Sequence, residues 1–171
     1  LIEILEQVPK SHHIEFTTML HDCNQHIHSN ARITLIGDLT INSGFGYHLR
    51  ALASALSELN ISFVCIDSFN PYLTPSLIEN TEFLTHSVNH FDTDIVIFCC
   101  GIYRLNFILN QFPRHVLQQS TCIYYGNWEF PDFPTSFKDT VSYIDHFWMP
   151  SKFSQDIFHS FTKKPVQLIP I

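Results

Sequence analysis

Gly37 to Leu56 reads GDLTINSGFGYHLRALASAL. The apolar run before it (Ile33, Leu35, Ile36) ends in a polar loop, and a Gly-Phe-Gly then opens a strongly periodic helix. Strand, glycine loop and helix N-terminus, in that order, make a place where backbone N–H groups face an anion, usually a phosphate. The helix spans 44–59, because Leu49, Leu52, Leu56 and Leu59 recur at steps of three and four, and Asn60 suits its C-terminal cap.

The same alternation continues downstream. Strands are expected at Ile61–Ile66, Asp94–Cys100, Thr121–Tyr125, His146–Met149 and Val166–Ile169. Helical segments fall at Tyr103–Phe112, stopped by Pro113, at about 135–142, and from an N-cap at Ser151 to about Phe161. Residues 70–93, with Pro71 and Pro75, read as loop and a short helix. Strands joined by helix-length connections require crossovers, hence a mostly parallel sheet covered on both faces. The expected fold is a Rossmann-like, doubly wound α/β domain over 31–171. Residues 1–30 read as a lead-in segment with one amphipathic helix around 12–28. Ligands of such a sheet sit outside the carboxyl ends of the strands, where the loops at 38–46, 67–75, 101–103 and 126–134 gather.

Composition narrows the function. The formal net charge is −7, with nine Lys and Arg, so nucleic acid and anionic membranes are disfavoured partners. No apolar run approaches the length of a membrane-spanning helix, and the first residues lack the pattern of a signal peptide. The five cysteines form no C-x-x-C, and four lie in apolar strand-like runs, as buried reduced thiols of a cytoplasmic protein would. Eleven histidines include the cluster His21, His26 and His28, but the spacing suits no shared metal, and no metal site is expected. G-x-S-x-G is absent, which disfavours a hydrolase.

Two ligand classes compete for the glycine loop. A dinucleotide site requires G-x-G-x-x-G directly after the strand. Here Leu49 holds the third glycine position, and Leu39 to Ser43 separate Asp38 from Gly44, although Asp67 stands near the ribose-binding distance.

The other reading comes from a resemblance. The stretch from Gly37 to Leu56 resembles the first strand, glycine loop and first helix of GT-B glycosyltransferases of glycosyltransferase family 4. Asn127-Trp-Glu-Phe-Pro131 with Pro134 resembles the W-E-x-P loop of one branch of that family, and His146-Phe-Trp-Met-Pro-Ser-Lys-Phe153 its W-x-P-S-x-F junction. Pro165–Pro170 resembles the strand leading toward a second domain. The resemblance covers about residues 31–171 and implies the acceptor-side domain of a retaining glycosyltransferase. Its donor would be a nucleotide sugar, with no metal or other cofactor, and its acceptor is left open.

By resemblance, Gly44, Phe45 and Gly46 approach the donor diphosphate, and Arg50 either adds charge or is an ordinary surface residue. Asn127, Trp128 and Glu129 would recognise the acceptor, Trp128 by stacking on an apolar sugar face and Glu129 by accepting hydroxyl hydrogen bonds. The alternative is a Pro-rich loop whose aromatics cover the sheet edge. Tyr103 and Arg104 would line the same cleft or merely form a helical first turn. The family's paired glutamates, eight positions apart in its second domain, have no counterpart here. The segment is therefore expected to be inactive alone, lacking its donor-binding partner domain and any assignable catalytic base. A non-catalytic Rossmann-like binding module is the alternative from another class.

Overall fold

The computed structural model describes residues 31–39, 41–68 and 93–170. The helix expected around 12–28, the histidine cluster and the 70–93 connection lie outside the described residues, apart from Thr93.

Six strands form one sheet: β1 (Ile33–Gly37), β2 (Phe63–Asp67), β3 (Ile95–Cys99), β4 (Thr121–Tyr125), β5 (His146–Met149) and β6 (Val166–Leu168). Their spatial order is β2-β1-β3-β4-β5-β6, and every neighbouring pair is parallel. The helices are α1 (Gly44–Glu58), α2 (Ile102–Gln111), α3 (Arg114–Gln119), α4 (Lys138–Ser142) and α5 (Lys152–Phe161), with a 3-10 turn at Thr135–Phe137 before α4. The protein is a Rossmann-like, doubly wound α/β fold.

Strand alternation divides the core into two layers. Leu35, Cys65, Ile97, Ile123, Tyr125 and Trp148 meet α1 on one face. Ile36, Val96, Phe98, Cys122, Tyr124 and Phe147 meet α2 to α5 on the other. The chain leaves β1 toward β2 and leaves β3 in the opposite direction, so the strand order reverses between β1 and β3. A crevice opens at that point in such sheets.

Two expectations need correction. Helix α1 buries more than the single stripe that its leucine spacing predicts, since every residue from Leu49 to Leu56 is buried, Arg50 and Ser54 included. Ala51, Ala53 and Ala55 complete its sides, and a helix apolar nearly all round is an interior helix. The sequence pattern also passed over α3. Pro113 ends one helix and is the N-cap of the next, and two turns are too short to display a period. Elsewhere the boundaries agree within about two residues, the usual uncertainty of helix and strand ends. Asn60 follows α1 with φ 56°, the left-handed conformation that asparagine tolerates at a helix end.

The described cysteines, Cys65, Cys99, Cys100 and Cys122, are free and buried, and burial pushes all four thiols up, Cys65 and Cys122 to about 12. Among the described residues no helix is long and apolar enough to cross a membrane.

At the opposite end of the sheet from the crevice, Arg32 clamps Asp94. The Arg32 guanidinium donates to both carboxylate oxygens of Asp94 (3.1 and 3.0 Å), and its backbone N–H adds a third bond (2.9 Å). Hydrogen bonds from Arg32 hold the Asp94 carboxyl down at about 2. A carboxyl lowered on folding contributes stability above its ordinary pKa, and that contribution is lost as pH falls from about 4 toward 2. An NMR titration should give Asp94 a midpoint near 2, moving back toward the ordinary value in Arg32→Gln. An unchanged midpoint in that variant would show that the clamp is not the cause.

Candidate functional site

The loops after β1, β3 and β4 enclose a cavity of about 440 Å³. Ser43, Gly44, Phe45 and His48 form one side, at the start of α1. Gly101, Ile102 and Tyr103 come from the junction of β3 with α2, and Asn127 to Phe130 from the loop after β4. The cavity therefore occupies the reversal point of the strand order, where ligands of open α/β sheets generally bind.

The glycine loop is held from behind. Ser43 is the N-cap of α1, and its hydroxyl accepts the Gly46 N–H at 3.1 Å. Capping of Gly46 leaves the N–H groups of Gly44 and Phe45 as first-turn donors without an intrahelical acceptor. The two glycines do different jobs. A Cβ on Gly46 would lie 2.3 Å from the Ile41 carbonyl and 2.6 Å from that of Asp38, so Gly46 exists to let the loop pack onto the helix. A Cβ on Gly44 would meet nothing within 4 Å, and this position faces open space.

Arg50 is buried beneath the loop, and its Nη1 donates to the carbonyls of Leu39 and Ile41, each at 3.1 Å. It is not a surface residue and does not line the cavity; it braces the loop by satisfying carbonyls that have no strand or helix partner. Gly46 is likewise outside the lining. Arg104, whose guanidinium lies 5.6 Å from the centre of the Phe107 ring, is also absent from the cavity wall.

The 126–130 loop is anchored to α5. Ser151 caps that helix, accepting the Ser154 N–H at 3.2 Å. Ser154, fully buried, places its hydroxyl 2.6 Å from Asn127 Oδ1 and 3.0 Å from the Trp128 carbonyl, and accepts the Trp128 N–H at 3.3 Å. Asn127 in turn donates to Glu129 Oε1 at 3.3 Å. Ser154, the residue after the junction resembling W-x-P-S-x-F, thus holds the N-W-E loop, and Ser151 of that junction holds Ser154.

Trp128 lines the cavity but is only 8% exposed, and its indole N–H donates to the Asp132 carbonyl at 3.0 Å. Packed against Phe130 and Phe133 (ring centres 5.4 and 5.1 Å apart), it is wall rather than open stacking surface. The exposed rings at the mouth are Tyr103 (72%) and Phe130 (64%), and Phe130 was not singled out by the sequence. Phe45 reaches over Gly101, where a Cβ would come 3.6 Å from its ring, and so joins the loop after β1 to the loop after β3.

His48 is the other residue the sequence did not single out. Its ring stacks on Tyr125 at 5.1 Å and meets the edge of Phe45 at 6.3 Å. Burial lowers its pKa to about 4, so the imidazole is neutral at physiological pH. The available signal was positional: His48 follows Gly44 by four residues and Phe45 by three, which puts it on the same side of α1. Asp67, the ribose candidate of the dinucleotide reading, is 2% exposed and lies outside this lining.

Among the described residues the lining contains no Lys or Arg, and its one formally charged side chain is Glu129. The cavity can therefore offer neutral N–H donors, hydrogen-bond acceptors and aromatic faces. Compared with protein families, curated proteins and solved structures, the chain gives no match in any of the three.

Proposed function

We propose that this chain is the acceptor-side domain of a retaining glycosyltransferase, supplying one wall of a cleft whose donor-binding wall belongs to a second Rossmann-like domain. One observation carries the reading. The glycine loop and the N-W-E loop, far apart in the chain and each resembling glycosyltransferase family 4, line a single cavity at the strand-order reversal. The character of the cavity favours the acceptor over the donor. A sugar ring presents apolar faces and neutral hydroxyls, which suit Tyr103, Phe130 and the Asn127–Glu129 pair. A diphosphate would find only the N–H groups and dipole of α1 here, so cationic side chains for it must come from the partner domain.

In this reading Gly44 and Phe45 approach the donor diphosphate, while Gly46 and Arg50 shape the loop that presents them. Calorimetry separates the alternatives. The 171-residue chain should bind neutral glycosides, bind UDP or GDP weakly, and transfer no sugar by itself. Tight binding of NADH would overturn the proposal in favour of a dinucleotide domain. Turnover of a nucleotide sugar by this chain above hydrolysis background would refute its dependence on a second domain. A non-catalytic binding module predicts glycoside binding with no transfer even when the second domain is present.

A further inference from the structure

An imidazole is an expensive side chain to bury without using its nitrogens. His48 Nδ1 has no accessible surface, and no hydrogen-bond partner reaches it among the described residues. Both neighbours that fix the ring, Tyr125 and Phe45, do so through their faces and edges, contacts that use neither of its nitrogens as a donor or acceptor. The residue nevertheless sits in the wall of the cavity. Nε2 is not among the buried atoms without a partner, so in the wall of an open cavity it is the nitrogen that a ligand can reach.

We propose that His48 is a specificity-determining residue of this cavity, its Nε2–H donating to a hydroxyl oxygen of the bound neutral sugar. This rests on the reading of the cavity as the acceptor site. With Nδ1 sealed in the interior, Nε2 is the nitrogen left to meet the cavity. The neutral ring carries one proton, and placing it on Nε2 puts the donor where a partner can arrive. The stack on Tyr125 and the Phe45 edge hold the ring in one orientation, so the donor is aimed before the ligand enters. Tyr125 is itself fixed, its hydroxyl donating to the Ile169 carbonyl at 3.2 Å. Neutrality matters as well. A charged imidazolium would favour an anion, whereas a neutral N–H donor in a cavity also lined by the Glu129 carboxylate and the Asn127 amide favours a hydroxyl that both donates and accepts.

The test uses the 171-residue chain, isotope-labelled for NMR and titrated with the methyl α-glycosides of glucose, galactose and mannose, and separately with UDP. The expected result has at least one glycoside shifting the backbone amides of Tyr103 and Phe130 together with the His48 ring signals. His48→Phe then weakens that glycoside about tenfold, the worth of one hydrogen bond, while its Tm equals or exceeds that of the parent because the stack survives and the orphaned nitrogen is gone. His48→Gln, which keeps an N–H donor, retains more affinity than His48→Phe. If a glycoside moves Tyr103 and Phe130 but His48→Phe binds it equally well, the assignment of His48 is overturned and the acceptor-site reading stands. If no glycoside moves the cavity amides, or only UDP does, the acceptor-site reading falls and the His48 assignment with it.

Discussion

Gly46→Ala should lower the stability of the domain by about 3 kcal/mol, the upper range for forcing atoms into a packed site. The added Cβ would lie 2.3 Å from the Ile41 carbonyl oxygen, 2.6 Å from that of Asp38 and 3.0 Å from Arg50 Nη1. Two of these three are backbone atoms, so relief requires the whole loop to lift from α1. Lifting it breaks the pair of hydrogen bonds from Arg50 to Leu39 and Ile41, and releases the Ser43 cap. Urea unfolding should show a lower midpoint with the slope unchanged. Gly44→Ala is the contrast: its Cβ enters open space and the backbone has no positive φ, so stability should change by no more than about 0.5 kcal/mol. Equal effects at the two positions would show that the loop is not packed on Gly46 in this way.

Phe158→Ala should have a larger effect still, about 4 kcal/mol. Phe158 is fully buried on the inner side of α5. Its ring packs against Phe133, Phe147 and Tyr124, with centres 4.8, 5.2 and 6.1 Å away. These three come from the loop after β4, from β5 and from β4, so the ring joins the sheet to the loop that walls the cavity. Phe133 in turn supports Trp128 at 5.1 Å. Removing the ring leaves a cavity under that loop, in a domain whose total stability is of the order of 5–15 kcal/mol. Amide exchange should then accelerate from Gly126 to Pro134 more than in α1, which packs on the opposite face of the sheet, or in β1, two strands away from β4. Uniform acceleration, or a loss below about 2 kcal/mol, would mean that Phe133 and Tyr124 support the loop without Phe158.

Much of this was legible in the chain. β4 and β5 fall where their apolar runs begin and end, and Ser151 caps α5, because strand composition and capping are local properties. The position of the cavity was legible too, since a glycine loop after a first strand stands at the carboxyl ends of the strands, where the cavity lies. The roles within the site were less so. Arg50 looks like a charge available to a ligand, but its partners are carbonyls of a loop that only the fold brings beneath it. Trp128 offers itself as a stacking platform, yet Phe133 and Asp132 enclose it, leaving that part to Tyr103 and Phe130. His48 carries no motif at all. Its meaning comes from Tyr125, a residue of a strand two places away from β1 in the sheet.

The strand order also bears on how the chain assembles as it leaves the ribosome. From β3 onward, each new strand lies beside the one made just before it, so this half of the sheet can extend edge by edge during synthesis. β1 differs, because its second neighbour, β3, arrives only after β2 and the long connection have been made. Until then the pair β1–β2 has an open edge and an α1 helix with too little sheet to cover. Closure of a long loop precedes that docking, so the joining of β1 to β3 carries a larger entropic cost than the pairings from β3 to β6. The loops that leave β1 and β3 at this junction line the cavity, so the cavity takes shape only once the two strands have paired.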